Sequence, residues 1–203
     1  NIFCEIYPFN KIPTLGEDVK AVIISGSPFS VRDENAPTIE YGPFIGKIPL
    51  LGVCYGAQYL ASREGGRVER SEQREYGKAI LKIEDLEDPL FCNISQNSQV
   101  WMSHGDSITK VPENFEVIAR TTDIVAAYRS APGSMTYPVV CLQFHPEVTH
   151  SLNGKEILFN FAHKIAGCTP DWTPASMVSE TVRRIQETVG DEQVMMGLSG
   201  GVD

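Results

Sequence analysis

Cys54 stands between two glycines in Gly52-Val53-Cys54-Tyr55-Gly56, where the apolar run 48–53 passes into a helical pattern. A side chain on such a strand-to-helix turn projects from the sheet edge as a nucleophile, here with sulfur in place of a hydroxyl. The glycines carry no Cβ, so strand and helix can close on each other while the turn residue takes a strained backbone conformation. The helix N-terminus adds partial positive charge and unpaired N–H groups, which favour the thiolate over a thiol of ordinary pKa, about 8.5. A cysteine nucleophile needs a base, and the base needs an orienting carboxylate. His145-Pro146-Glu147 supplies both at the end of the apolar run 139–144. His145 can take the thiol proton and return it to a leaving nitrogen, while Glu147 holds the other imidazole N–H. The chemistry in view is acyl transfer through a thioester.

Each piece also has a plainer reading. Free cysteine is commonly a core residue, and most His-x-Glu pairs lie on the surface. His145-x-Glu147 matches half of the zinc-deaminase pattern, but the Pro-Cys-x-x-Cys half is absent. Of the other histidines, His104 and His150 have weaker claims, and the helical setting of His163 points to packing or solvation.

Positioning these residues falls to a sheet. The 203 residues, 42% hydrophobic and 21% charged, suit one globular domain with part of another. Short β-rich runs alternate with helical patterns, which predicts an α/β fold: a mostly parallel open sheet flanked by helices, with a smaller antiparallel portion. Residues 2–7 read as a strand. Residues 21–24 form an uninterrupted apolar run, as in a strand buried on both faces, and empty into Ser25-Gly26-Ser27-Pro28. A loop at a strand's carboxyl end is where ligands bind. The elbow strand spans 48–53 and its helix 57–64, closed by Gly65-Gly66. Runs 77–83, 99–103, 115–121 and 124–129 read as short strands of an antiparallel middle, and 139–144 returns to the core. Over 155–166, Ile157, Leu158, Phe161, Ala162 and Ile165 fall on one helical stripe. Residues 168–172 read as a linker, Thr173-Pro174 opens another helix ending at Gly190, and 194–198 reads as a new strand.

A net charge of −9 and a pI near 5.0 exclude non-specific nucleic-acid binding, which rests on clustered Lys and Arg. No apolar run approaches the roughly 20 residues of a membrane helix. Cys4, Cys54, Cys92, Cys141 and Cys168 are an odd, widely spaced set without Cys-x-x-Cys. That pattern suits neither a disulfide framework nor a zinc site, so the expected setting is a reducing cytoplasm with no metal.

With elbow and His-Pro-Glu in view, residues 1–168 resemble the class I glutamine amidotransferases, whose sheet is flavodoxin-like. The resemblance implies Cys54 as nucleophile, His145 as general base and acid, and Glu147 as its orienting partner. It implies that Gln58 helps hold glutamine, and that backbone N–H groups at Tyr55 and in the Gly26-Ser27 loop meet the oxyanion. The family loop usually reads Gly-Gly-Pro; Gly26-Ser27-Pro28 departs from it. Arg74-Glu75-Tyr76-Gly77 and Trp101-Met102-Ser103-His104-Gly105-Asp106 resemble segments of the GMP synthetase branch. The second implies substrate contacts at Ser103 and Gly105; the plainer readings are a solvated turn and a strand end.

Ser199-Gly200-Gly201-Val202-Asp203 resembles the start of an ATP pyrophosphatase loop, in which backbone N–H groups cradle pyrophosphate. A class I glutaminase followed by this loop is the order found in the GMP synthetase branch. The implied organisation is a glutaminase domain over 1–168 lacking its first strand and helix, a linker and connecting helix over 169–192, and a truncated synthetase domain over 193–203. The implied reaction is glutamine hydrolysis to glutamate and ammonia, with the ammonia used for ATP-dependent amination of xanthosine monophosphate. On this reading the glutaminase domain needs no cofactor, ATP and Mg²⁺ belong to the synthetase domain, and that domain is the natural partner; a homodimer stays open. The alternatives are the glutaminase of another amidotransferase, a cysteine hydrolase of other substrates, and a non-catalytic docking module that keeps the elbow as architecture.

Overall fold

The structure, a computed structural model, describes residues 2–122, 124–195 and 197, leaving aside the side chains at 72–75, 174, 176 and 180. The chain divides into two compact units, Ile6–Cys168 and a second formed by Asn1–Glu5 with Thr169–Asp203.

The larger unit is an α/β fold on a mixed sheet of seven strands among the described residues. These are β1 (Val22–Ile24), β2 (Leu50–Val53), β3 (Arg67–Ile83), β4 (Gln99–Lys110), β5 (Phe115–Thr121), β6 (Ile124–Ser130) and β7 (Val139–Leu142), in the spatial order β1-β2-β7-β6-β5-β3-β4. Pairings β1–β2 and β2–β7 are parallel, while β7–β6, β6–β5, β5–β3 and β3–β4 are antiparallel. The antiparallel portion is thus the larger one, contrary to the expectation of a mostly parallel sheet. Its size comes from β3, which pairs with β4 through Ile80 and then with β5 from Leu81 onward. The polar stretch before Gly77 masks this strand in the sequence. From Glu75 onward this segment is accordingly ladder and not a solvated turn, with Glu75 opposite His104, Tyr76 opposite Ser103 and Gly77 opposite Met102, while Arg74 falls in the irregularity between Arg70 and Glu75.

Residues 2–7 do not join the sheet, and Ile6 is 94% exposed. Strand propensity becomes a strand only where a neighbouring edge satisfies the backbone. Helix α1 (Tyr55–Arg63) follows β2, and α2 (Gly154–Phe159) continues into a π-helical turn at Asn160–Ile165, so the helix expected over 155–166 changes pitch midway. In the smaller unit, α3 (Pro174–Val189) fits the Thr173-Pro174 start signal. Residues 194, 195 and 197 are irregular; the rest of the strand expected over 194–198 lies outside the described residues.

Period-two alternation sends side chains to opposite faces of the sheet. Leu51, Val140 and Leu142 enter the core that holds Ile157 and Phe161 from α2 and its π-helical turn. Leu50, Val139 and Cys141 enter the core that holds Ala57, Leu60 and Ala61 from α1. Both faces of β2 and β7 are thereby buried, which explains their unbroken apolar sequences; β1, expected to be buried on both faces, instead ends the strand order and leaves Ile23 half exposed.

Candidate active site

Because β1, β2 and β7 are adjacent and parallel, their carboxyl ends share one edge of the sheet. That edge receives Ser25-Gly26 from β1, Cys54 from β2 and Gln143 to Glu147 from β7. Cys54 precedes α1 with φ 51° and ψ −102°, a conformation rarely held by a non-glycine residue and typical of functional turns. Its N–H donates to the Leu142 carbonyl at 2.7 Å, and its carbonyl accepts from the Gln58 N–H at 3.0 Å. Gly56 makes the turn possible, since a Cβ there would run into the Ile24 carbonyl.

Gly26 marks where the loops meet: a Cβ at that position would lie 3.3 Å from His145 Cε1 and 3.7 Å from Cys54 Cβ. Ser27, in place of a second glycine, keeps its φ outside the left-handed region, and its Oγ accepts from the Phe29 N–H at 3.3 Å. The substitution is therefore housed without backbone strain.

His145 Nδ1 lies 2.7 Å from Glu147 Oε1. The His145 N–H donates to the Trp101 carbonyl at 3.0 Å, and the His145 carbonyl accepts from Ser151 Oγ at 2.6 Å. That hydroxyl also accepts from the Trp101 N–H at 3.0 Å. Strand β4 therefore fixes the turn from one side, while Gly154 of α2 is pressed against the Pro146 carbonyl.

The sulfur of Cys54 is enclosed, the residue being 5% exposed. Sγ donates to the Ser103 carbonyl at 3.9 Å and accepts from Gln143 Nε2 at 3.9 Å. Burial pushes the thiol up to about 11; the Tyr55 backbone N–H pulls it down, and the negative charge of Glu147 adds to the rise. The expected thiolate bias of the helix N-terminus is present but outweighed by desolvation.

Gln58 is buried, its Nε2 donating to the Asp106 carbonyl at 2.8 Å and to Gln143 Oε1 at 3.2 Å. Ser103 turns its carbonyl, not its hydroxyl, to the sulfur. Gly105 lies on β4 with the Tyr76 hydroxyl beside its backbone. Sequence reasoning did not assign roles to Gln143, Asp106, Ser30 or Arg32. The Asp106 carboxylate accepts from Ser30 Oγ and lies 3.2 Å from Arg32 Nη2, tying the loop after β1 to β4. Asp106 closes the Trp101 to Asp106 segment and Gln143 lies two residues before the His-Pro-Glu turn, a usable signal in each case. Ser30 and Arg32 carried none.

His104 is buried on β4 close to His145, and burial lowers its pKa. His163 is packed, with its Nδ1 2.7 Å from the Cys168 carbonyl. Among the described residues no group of three His, Cys, Asp or Glu side chains is gathered to hold a metal. None of the described helices is long and apolar enough to cross a membrane. The pyrophosphate loop expected at Ser199 to Asp203 lies outside the described residues.

The family model for class-I glutamine amidotransferases matches residues 1–165. A GMP synthase (glutamine-hydrolysing) of Christiangramia forsetii is 53% identical over 203 residues, covering 100% of this chain and 39% of the relative. One of Cytophaga hutchinsonii is 52% identical over 204 residues, with coverage of 100% and 39%. The chain thus spans 39% of the length of these curated relatives. In fold it is similar to a glutamine amidotransferase structure from Thermotoga maritima, at 20% identity and TM-score 0.55, covering 88% of this chain and 76% of that one. A glutamine amidotransferase structure from Methylobacillus flagellatus, at 18% identity and TM-score 0.53, covers 79% and 66%. An elbow cysteine and a His-Pro-Glu turn delivered to one sheet edge, and a family model matched over residues 1–165, lead to one statement: the chain belongs to the class-I glutamine amidotransferases.

Proposed function

We propose that this chain hydrolyses glutamine to glutamate and ammonia through a thioester on Cys54, and that the ammonia serves ATP-dependent amination of xanthosine monophosphate to GMP. The observation that carries the reading is the meeting of Gly26, Cys54 and the His145–Glu147 pair at the carboxyl edge of three adjacent parallel strands. In the first half-reaction His145 removes the Sγ proton and sulfur attacks the side-chain amide carbon. The oxyanion is met by backbone N–H groups at Tyr55 and in the Gly26-Ser27 loop. His145 then returns the proton to the departing nitrogen, and ammonia leaves. In the second half-reaction His145 draws a proton from water, which cleaves the thioester and frees Sγ. Glu147 orients the imidazole and stabilises its charged form. Gln58, Ser103 and Gly105, around the sulfur and on β4, are the groups proposed to hold glutamine.

The acceptor half of the reading rests on the resemblance of Ser199-Gly200-Gly201-Val202-Asp203 to a pyrophosphatase loop, and on the printed names of the curated relatives. It assigns ATP and Mg²⁺ to a synthetase domain that would use the ammonia in a reducing cytoplasm. A docking module with an inert elbow is favoured by one observation, the enclosure of Sγ with its thiol held up at about 11. A glutamine-mimicking diazoketone separates the two. Adduct on Cys54 that glutamine competes away, and that is slowed at least about a hundredfold in His145→Ala, is the result expected of the glutaminase. Absence of adduct in the whole protein, synthetase domain included, would leave the docking reading in possession.

A further inference from the structure

The buried amide of Gln143 has a task that the triad leaves unfilled. Its backbone N–H donates to the Ala126 carbonyl at 2.8 Å, which fixes the residue against β6. Its side chain lies between Gln58 and Cys54, with Oε1 3.2 Å from Gln58 Nε2 and Nε2 3.9 Å from Cys54 Sγ. The order of donors along this row is forced. The Asp106 carbonyl can only accept, so the Gln58 atom 2.8 Å from it has to be the NH2 group. The second hydrogen of that group faces Gln143, which therefore presents its oxygen to Gln58 and its NH2 to the sulfur. A donor is thus aimed at the nucleophile by a chain of contacts that starts on β4.

On the reading of Cys54 as a glutaminase nucleophile, we propose that Gln143 is a further catalytic residue: its side-chain N–H donates to the Cys54 sulfur and stabilises the attacking thiolate. The need for such a donor is physical. An enclosed sulfur has lost most of the water that would solvate its charge, and each hydrogen bond to the anionic form favours that form. The Ser103 carbonyl cannot help, because it accepts and so favours the protonated thiol. Among charged and titratable groups on the surrounding elements, Glu147 opposes ionisation of the thiol. His145 is on the same turn, His104 and Asp106 on β4, Arg32 in the loop after β1 and paired with Asp106, and Tyr55 on α1. The Gln143 amide does not titrate, so its donor persists at every pH.

The test is the rate of Cys54 alkylation by iodoacetamide, followed by peptide mapping between about pH 7 and 10, in the wild type, Gln143→Met and Gln143→Glu. Methionine fills similar space without a donor; glutamate keeps the acceptor for Gln58 and loses the NH2. For a rise of about one pKa unit the thiolate is tenfold scarcer but about threefold more nucleophilic, so alkylation slows about threefold at each pH below the midpoint. Glutamine turnover should lose kcat with KM nearly constant. A second measurement needs no Gln143 variant: in the wild type the Gln143 side-chain amide protons shift as Cys54 ionises, and Cys54→Ala abolishes that shift. Unchanged alkylation in folded variants, or a wild-type amide signal indifferent to Cys54 ionisation, would overturn the proposal. If the wild type fails to turn over glutamine yet alkylation slows as expected, the glutaminase reading falls and the thiolate donor stands.

Discussion

In the parallel part of the sheet β1, β2 and β7 are three or four residues long, whereas the antiparallel β3 and β4 run to 17 and 12. Of the short strands, β2 and β7 are covered on both faces, and all three end where the chemistry begins. The long ones hold the ladder that reaches from β4 to the back of His145 and to Asp106. Geometry explains the division. Parallel strands deliver all their carboxyl ends to one edge, which gathers loops, while antiparallel strands alternate direction and extend a surface that braces those loops. The parallel part should therefore fail in activity before stability, and the antiparallel part in the reverse order.

The largest effect is expected on the antiparallel side. Asp88 is enclosed, its carboxylate taking Arg129 Nη1 of β6 at 2.6 Å and the Leu90 N–H at 2.8 Å. Asp88→Ala strands Arg129 and should cost about 3 kcal/mol in urea unfolding, with Cys54 labelling unchanged in the cold. Equal losses of stability and labelling would dissolve the distinction. On the parallel side, Gly56→Ala drives a methyl into the Ile24 carbonyl. About 2 kcal/mol of stability should go, together with nearly all diazoketone labelling; full labelling would show that the elbow tolerates displacement.

Asp106→Asn lies on the seam between the two parts. It weakens the tie from β4 to Ser30 and Arg32, and should lower kcat/KM for glutamine about tenfold, as expected for a group that positions others, with a melting shift of a few degrees at most. A loss confined to melting would make Asp106 purely structural.

The last effect shows only in alkaline solution. Burial raises Cys54 from 9.0 to about 11 and Cys141 from 9.0 to about 12. Both folded-state values lie above the unfolded ones, so the native state holds protons that the unfolded chain releases. The resulting stability is complete below about pH 9 and is lost as pH rises through the folded values. Urea midpoints should fall from pH 9 toward 11, and Cys141→Ala should fall less steeply than the wild type. Parallel curves for the two proteins would remove Cys141 from the explanation.

Much of this was legible in the sequence because it is local. The apolar runs of β1, β2 and β7, the helix that follows the elbow, the Thr173-Pro174 helix start, and the elbow and His-Pro-Glu turns all show within a few residues. Tertiary structure decided the rest. Residues 2–7 have the pattern of a strand, yet no sheet edge takes them up, because pairing is supplied by distant chain. Strand β3 is long because two different partners continue its ladder. The row from Asp106 through Gln58 and Gln143 to Cys54 joins positions 58, 106 and 143 to the elbow. No spacing in the chain announces that row. The surroundings of Cys54 show the same limit: a helix N-terminus is a local feature favouring the thiolate, whereas the desolvation that raises the thiol is set by everything packed around the sulfur. A sequence specifies which groups can react, and only the folded surroundings fix the protonation state in which they wait.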